Sequence, residues 1–186
     1  MSEMEKGGAV RLNSAQLDRL TKAAFTFKEG HGGGCAEASV NKDFIGKDPA
    51  VLAQAAGVNI PANTQLLFAE TDGKHPFVIE EQMMPFIPVV RVKSVEEGII
   101  EAKEAEHNYK HTAIIHSHDV EHMTAMGRAL DTTLFIKNGP CMAGLGAGGE
   151  GYLSFSIATP TGEGVTNPKT FTRVRRCVMV DNLRIY

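Results

Sequence analysis

Four short apolar runs, "QLLFA" (65–69), "FIPVVRV" (86–92), "TAIIH" (112–116) and "TLFIK" (133–137), set the frame for this chain. None alternates apolar with polar residues, so each reads as a strand covered on both faces. Helical spacing fills the gaps between them. "SVEEGIIEAKEAEHNY" opens with Ser94 and Glu97 at capping-box spacing and puts Val95, Ile99 and Ala102 on one face. A second helix is expected from Asp119 to Leu130, with Val120, Met123, Met126 and Leu130 turned inward. Strand, helix, strand, helix, strand from residue 86 onward implies right-handed crossovers and parallel strands. The fold class is therefore α/β, a mostly parallel sheet of about five strands with flanking helices.

Upstream, "DPAVLAQAAG" carries Asp48 as N-cap, Pro49 at the first helical position and Gly57 as a stop. Another helix follows Asn13, with Leu17, Leu20, Ala24 and Phe27 at helical spacing. "KEGHGGGCAEASVNKD" (28–43) reads as a flexible loop or linker. At the far end "RRCVMVDNLRIY" alternates like an exposed or pairing strand.

A chain of 186 residues, 42% hydrophobic, can bury a real core. Its net charge of -3 is mild, and only "RVRR", Arg173–Arg176, clusters basic residues, which argues against nucleic acid as a partner. No apolar stretch is long enough for a membrane span, and "MSEMEKGG" lacks the apolar core of a signal peptide. The three cysteines, Cys35, Cys141 and Cys177, are too widely spaced for a disulfide framework or C-x-x-C zinc chemistry and fit a reducing cytoplasm.

Three stretches hold candidate chemistry. In "KNGPCMAGLGAGGEG" (137–151) Gly144, Gly146 and Gly149 match G-x-G-x-x-G, but no helical period follows, as a dinucleotide cradle requires. A tight, close-approach loop is the better reading. Cys141 could serve as a nucleophile, although no base is fixed beside it in sequence, and a base such as His111 or His116 would have to lie within hydrogen-bond reach. His107, His111, His116, His118 and His122 cluster, yet nothing completes a metal set around His118 and His122, so they read as surface residues. Glu80 and Glu81 in "VIEEQMMPFIPVV" suit a cation or sugar-hydroxyl site and equally suit helix-start charges.

Six stretches in order, "HPFVIEEQMMPFIPVVRV", "HTAIIHS", "IKNGP", "AGLGAGGEGY", "ATPTGEG" and "RRCVMVD", resemble the C-terminal part of CoA-acylating aldehyde dehydrogenases, above all the propionaldehyde and acetaldehyde enzymes of bacterial microcompartments. The resemblance covers nearly the whole chain and is weakest before Asn41. It implies the reaction aldehyde + CoA + NAD to acyl-CoA + NADH, through a cysteine thiolate in an "NNLPC" motif. That motif and the Rossmann domain lie upstream of the matching region, and neither occurs in residues 1–186. The chain is thus expected to be a partial catalytic domain (1–175) followed by a C-terminal oligomerisation strand (176–186), inactive alone and a homo-oligomer. The rival is a non-catalytic binding or assembly module. A cytoplasmic location is expected, with the microcompartment lumen open to the intact enzyme.

Residue by residue, the superfamily glutamate that binds the nicotinamide ribose in E-E-x-F-G-P aligns with Glu81. Met83 stands where the aromatic would be and Met84 where the glycine would be. "KNGPCMAGLG" resembles "KNGPSYAGIG", the loop lining the aldehyde pocket. Asn138, Gly139, Cys141, Met142 and Gly144 become pocket residues by that resemblance, with Cys141 in place of serine.

Overall fold

The computed structural model describes residues 1–28, 37–148, 157–158, 164–166 and 168–180. It divides into two compact units, Met1–Ser94 and Val95–Tyr186.

In the first unit α1 (Ser2–Lys6) leads to β1 (Val10–Arg11) and then α2 (Ser14–Ala24). A reciprocal capping box opens α2: Asn13 Oδ1 accepts from the Gln16 N–H and Gln16 Oε1 from the Asn13 N–H, each at 2.9 Å. Leu17, Leu20 and Ala24 are buried as their spacing predicts, but the helix stops there. Phe27 is not on it. The chain becomes extended at Phe25, and β2 (Phe25–Lys28) pairs antiparallel with β3 (Glu37–Val40). The aromatic and β-branched "FTF", offered a partner strand, overrides the helical spacing, and Phe27 is half exposed. The loop expected over 28–43 therefore contains a strand and a 3-10 turn at Lys42–Phe44, while 29–36 lie outside the described residues.

α3 (Pro49–Ala56) has Asp48 before it and Gly57 after it at φ 68, the left-handed conformation that glycine adopts without strain. Arg19 of α2 donates from Nε to the Ala56 carbonyl at 2.8 Å, satisfying an orphan group at the end of α3. The unit's main sheet runs β1, β4 (Leu67–Thr71), β5 (Phe86–Val90), all parallel, with Val10 opposite Leu67 and Leu67 opposite Phe86. One turn of helix, α4 (Pro76–Ile79), lies between β4 and β5. Leu67, Phe68 and Ala69 are buried on both faces of β4, as an uninterrupted apolar run requires. Phe77 of α4 meets Phe25 edge-on at 4.8 Å and Phe86 at 4.3 Å. Each such buried ring contributes about 2–3 kcal/mol. At the carboxyl end of the sheet Glu70 takes two bonds from Arg91, at 2.9 and 3.2 Å, and one from Arg11 at 3.4 Å. The Arg91 hydrogen bonds hold the Glu70 carboxyl below its ordinary range.

The second unit runs α5 (Val95–Glu106), β6 (Thr112–Ile115), α6 (Val120–Leu130), β7 (Leu134–Lys137). β6 and β7 are parallel, with Thr112 opposite Leu134 and Ile115 opposite Lys137. Of the two crossovers read from residue 86 onward, the one through α6 joins a parallel pair, β6–β7, whereas β5 pairs parallel with β4 and, among the described residues, not with β6. The parallel strands are distributed over a three-stranded and a two-stranded sheet. Three side-chain expectations need correcting. β5 is not covered on both faces, since Ile87 is exposed beside buried Phe86. Nor is β7: Leu134 and Ile136 are buried, whereas Phe135 and Lys137 are exposed. Val120 is 66% exposed, because the first residue after the Asp119 N-cap projects past the packed face, which begins at Met123. β8 (Ile157–Ala158) and β9 (Gly164–Val165) form an antiparallel pair, and Pro168–Phe171 make a 3-10 turn. Residues 172–180 belong to no helix or strand and are exposed, Val174, Val178, Met179 and Val180 included. The remainder of the expected terminal strand, 181–186, lies outside the described residues.

Candidate functional site

Parallel α/β strands present their carboxyl ends, where loops converge, as the usual place for ligands. Asn138 follows β7 directly and adopts φ 54, a left-handed conformation that asparagine tolerates better than most residues. Its N–H donates to the Ile115 carbonyl at 2.8 Å. Its side chain is spent on Ser117: Oδ1 accepts from the Ser117 N–H at 2.9 Å and Nδ2 donates to the Ser117 carbonyl at 2.7 Å. Ser117 Oγ in turn accepts from the Asp119 N–H at 3.0 Å, and Asp119 Oδ1 accepts from the His122 N–H at 3.0 Å, capping α6. That backbone bond is the main reason the Asp119 carboxyl sits below its ordinary range. The turns after β6 and β7 are therefore one hydrogen-bonded piece.

Beyond Pro140 the chain coils into a 3-10 helix, Cys141–Leu145, closed by Gly146 at φ 91. The sequence had no signal for this short helix. Gly144 lies against β7: a Cβ there would be 3.0 Å from Ile136 Cδ1 and 3.3 Å from Leu134 Cδ1. Its smallness is used for packing on the strand, and among these glycines it is Gly146, not Gly139 or Gly144, that takes positive φ. Gly149, the last residue of the glycine pattern, lies outside the described residues. Cys141 and Met142 face outward, Cys141 as an exposed free thiol and Met142 46% exposed.

In the first unit, Glu80 closes α4 and Glu81 follows it in an irregular connection to β5. Glu81 is exposed, and no ion pair among the described residues engages it. After it, Gln82 Nε2 donates to the Phe86 carbonyl at 3.3 Å and the Met83 carbonyl accepts from the Gly46 N–H at 2.8 Å; before it, the Glu80 N–H donates to the Pro76 carbonyl at 2.9 Å. The Met83 side chain is 70% exposed.

Among the described residues no three His, Cys, Asp or Glu side chains converge as a metal site, and His122 Nδ1 lies 3.8 Å from Asp119 Oδ2. A cleft of about 580 Å³ between the carboxyl ends of α5 and α6 is lined by His107, alone of the histidine cluster, and another of about 500 Å³ lies beside Arg11 and Glu70; neither contains Glu81 or any residue of the loop at 138–146. Two structurally important residues escaped the sequence reading. Ser117 carried no signal, because its partner is remote in sequence. His75 carried one, a polar residue directly before a proline at a helix start.

The chain matches no protein-family model. It is 48% identical over 185 residues to the acetylating acetaldehyde dehydrogenase of Salmonella typhimurium, covering all of this chain and 39% of that protein. It is 40% identical over 186 residues to the CoA-propanoylating propanal dehydrogenase of Citrobacter freundii, again all of this chain and 38% of that one. Its fold matches Rhodopseudomonas palustris propionaldehyde dehydrogenase, solved with bound propionyl-CoA, at a TM-score of 0.82 and 44% identity, over 94% of this chain and 37% of that one. The chain thus spans about two fifths of the length of these relatives. Across its whole length, then, this chain is similar in sequence, and in fold, to one part of CoA-acylating aldehyde dehydrogenases.

Proposed function

We propose that residues 1–186 form part of the catalytic half of an NAD-dependent, CoA-acylating aldehyde dehydrogenase that converts a small aldehyde, CoA and NAD to acyl-CoA and NADH. The observation that carries this reading is the 48% identity to an acetylating enzyme, unbroken across the whole chain. Glu81 suits the nicotinamide ribose: an exposed carboxylate on a connection pinned at Gln82 and Met83 can accept two hydroxyl hydrogen bonds. Bound there, NAD would supply the hydride acceptor. Met83 stands beside that contact. Cys141 and Met142 present small and pliable surface to the aldehyde chain, carried by Gly139 and Gly144. Asn138 contributes to this wall by holding Ser117 rather than by touching substrate.

The attacking thiolate is assigned to residues outside 1–186, since the family's "NNLPC" is not in the sequence. Residues 1–186 alone are then inactive. The test is to assay NADH formation from propionaldehyde with CoA for this chain alone and for the Salmonella enzyme with these residues replacing its corresponding part. The chimera is expected to turn over and the chain alone is not. Turnover by the chain alone that disappears with Cys141→Ser would assign the nucleophile to Cys141 and overturn the reading.

A second reading, association between copies, is favoured by the exposed apolar run Val174, Val178, Met179 and Val180. It is compatible with the first. A cytoplasmic enzyme, or one enclosed in a microcompartment, is the setting proposed for both, and no described helix is long and apolar enough to cross a membrane.

A further inference from the structure

His75 sits where β4 hands over to α4 and makes contacts that define its protonation state. Nδ1 lies 3.2 Å from the Phe77 backbone nitrogen, whose N–H it accepts, so Nδ1 bears no proton. Nε2 lies 3.4 Å from Thr21 Oγ1 of α2. The Thr21 hydroxyl has one proton, and that proton goes to the Leu17 carbonyl at 2.9 Å. Thr21 Oγ1 can therefore only accept from His75, which places the ring proton on Nε2. Both contacts specify the same neutral tautomer. The ring also lies nearly parallel to Phe77, centroids 5.7 Å apart and 7° between planes, and Phe77 is itself core.

An imidazolium cannot make this arrangement. A proton on Nδ1 would face the Phe77 N–H, donor against donor, and the first turn of α4 would lose its cap. That turn is a single turn, also tied by the Val78 and Ile79 N–H groups to the His75 carbonyl, at 2.7 and 3.1 Å. Glu80 and Glu81 follow it immediately. The charged groups acting on the ring are Asp72, in the turn after β4, and Asp18, on α2. Both favour the protonated ring, and burial opposes them and prevails.

We infer that His75, neutral and hydrogen-bonded to Thr21 and Phe77, is a positioning residue that latches the turn bearing Glu80 and Glu81, and that protonation opens the latch. The latch stands on the geometry of the first unit. Its consequence for cofactor binding rests on the ribose role proposed for Glu81.

The test uses the 186-residue chain with labelled histidine rings and backbone amides. At pH 7.5 the His75 ring is expected as the Nε2–H tautomer. As pH falls, hydrogen exchange at the Phe77 amide is expected to accelerate relative to its intrinsic rate, at least about fivefold, the factor one net hydrogen bond supplies. Its midpoint should be that of the ring titration. His75→Asn retains an acceptor at the cap without a titrating group, so its Phe77 amide should stay protected across the same range. An Nδ1–H tautomer, exchange that ignores the ring titration, or a pH step surviving in His75→Asn would each overturn the latch. In the Salmonella chimera the KM for NAD should rise at acid pH with kcat little changed, and His75→Asn should abolish the rise. If the ring and amide behave as stated while Glu81→Gln leaves the KM for NAD untouched, the ribose assignment fails and the latch stands.

Discussion

The side-chain amide of Asn138 holds both backbone groups of Ser117, accepting its N–H at 2.9 Å and donating to its carbonyl at 2.7 Å. It does so from φ 54, so the residue supplies a turn and a brace together. Asn138→Ala should destabilise the chain by about 2 kcal/mol, from two lost hydrogen bonds and an unfavourable backbone region. Asn138→Gly relaxes the backbone alone. Urea unfolding should place Asn138→Gly between wild type and Asn138→Ala; a glycine variant as stable as wild type would show that the brace contributes nothing.

Gly144 touches β7 so closely that a methyl group fits only if the Ile136 side chain gives way. Gly144→Ala should cost about 1 kcal/mol, since Ile136 Cδ1 at 3.0 Å must move. Removing that atom with Ile136→Val should shrink the penalty of Gly144→Ala by more than half. A double-mutant cycle measures this directly, and strictly additive values would mean the two residues do not compete for the same space.

His75 also makes a prediction about stability. Burial lowers its folded-state pKa below the ordinary value near 6.5, so the unfolded chain takes up the proton first. Its contribution is fully present above the ordinary value and is lost as pH falls through the lowered one. The stability difference between wild type and His75→Asn should therefore shift in favour of the variant on acidification from pH 7. A difference independent of pH across that window would mean the ring titrates normally when folded.

Met142 is proposed to face the aldehyde chain. In the Salmonella chimera Met142→Trp should lower kcat/KM for propionaldehyde relative to acetaldehyde by about tenfold, because one methylene is worth roughly 1–3 kcal/mol in an apolar pocket. Equal losses on both substrates would remove Met142 from the pocket.

The exposed apolar stretch after Arg176 is expected to pair copies of the chain. Sedimentation of residues 1–186 should show a dimer or larger species, and deletion of 177–186 should shift it toward monomer. A monomer at high concentration would count against the pairing.

What the sequence disclosed follows a physical division. Helix boundaries at Pro49, Gly57 and Asp119 were legible because helix ends are set by near neighbours, although the Asp48 side chain makes no cap hydrogen bond. The β6–β7 pairing was legible because β-α-β order leaves little choice, whereas the same order across α5 did not pair β5 with β6 among the described residues. Phe27 was misassigned because helical spacing continued past Ala24, while a partner strand at 37–40 decided the outcome. The Asn138–Ser117 brace and the His75–Thr21 contact join residues far apart in sequence, and no local pattern encodes them. Glu80, Glu81 and the loop at 137–151 stood out by their residues, and family resemblance alone gave Glu81 and the loop their roles. The physics of their immediate neighbours left Glu80 and Glu81 undecided.

The pairing of β1 with β4 sets an order of assembly. Thr112 finds Leu134 across a single helix, and Leu67 finds Phe86 across one short turn of helix. Val10 must instead find Leu67 across α2, the β2–β3 hairpin and α3, with a strand only two residues long. Closure entropy grows with the intervening chain, so the β4–β5 and β6–β7 pairs are the early nuclei and β1 docks late. Substitutions in β1 should then accelerate unfolding and leave the refolding rate nearly unchanged. A strand synthesised well before its partner is, on this order, the last to be used.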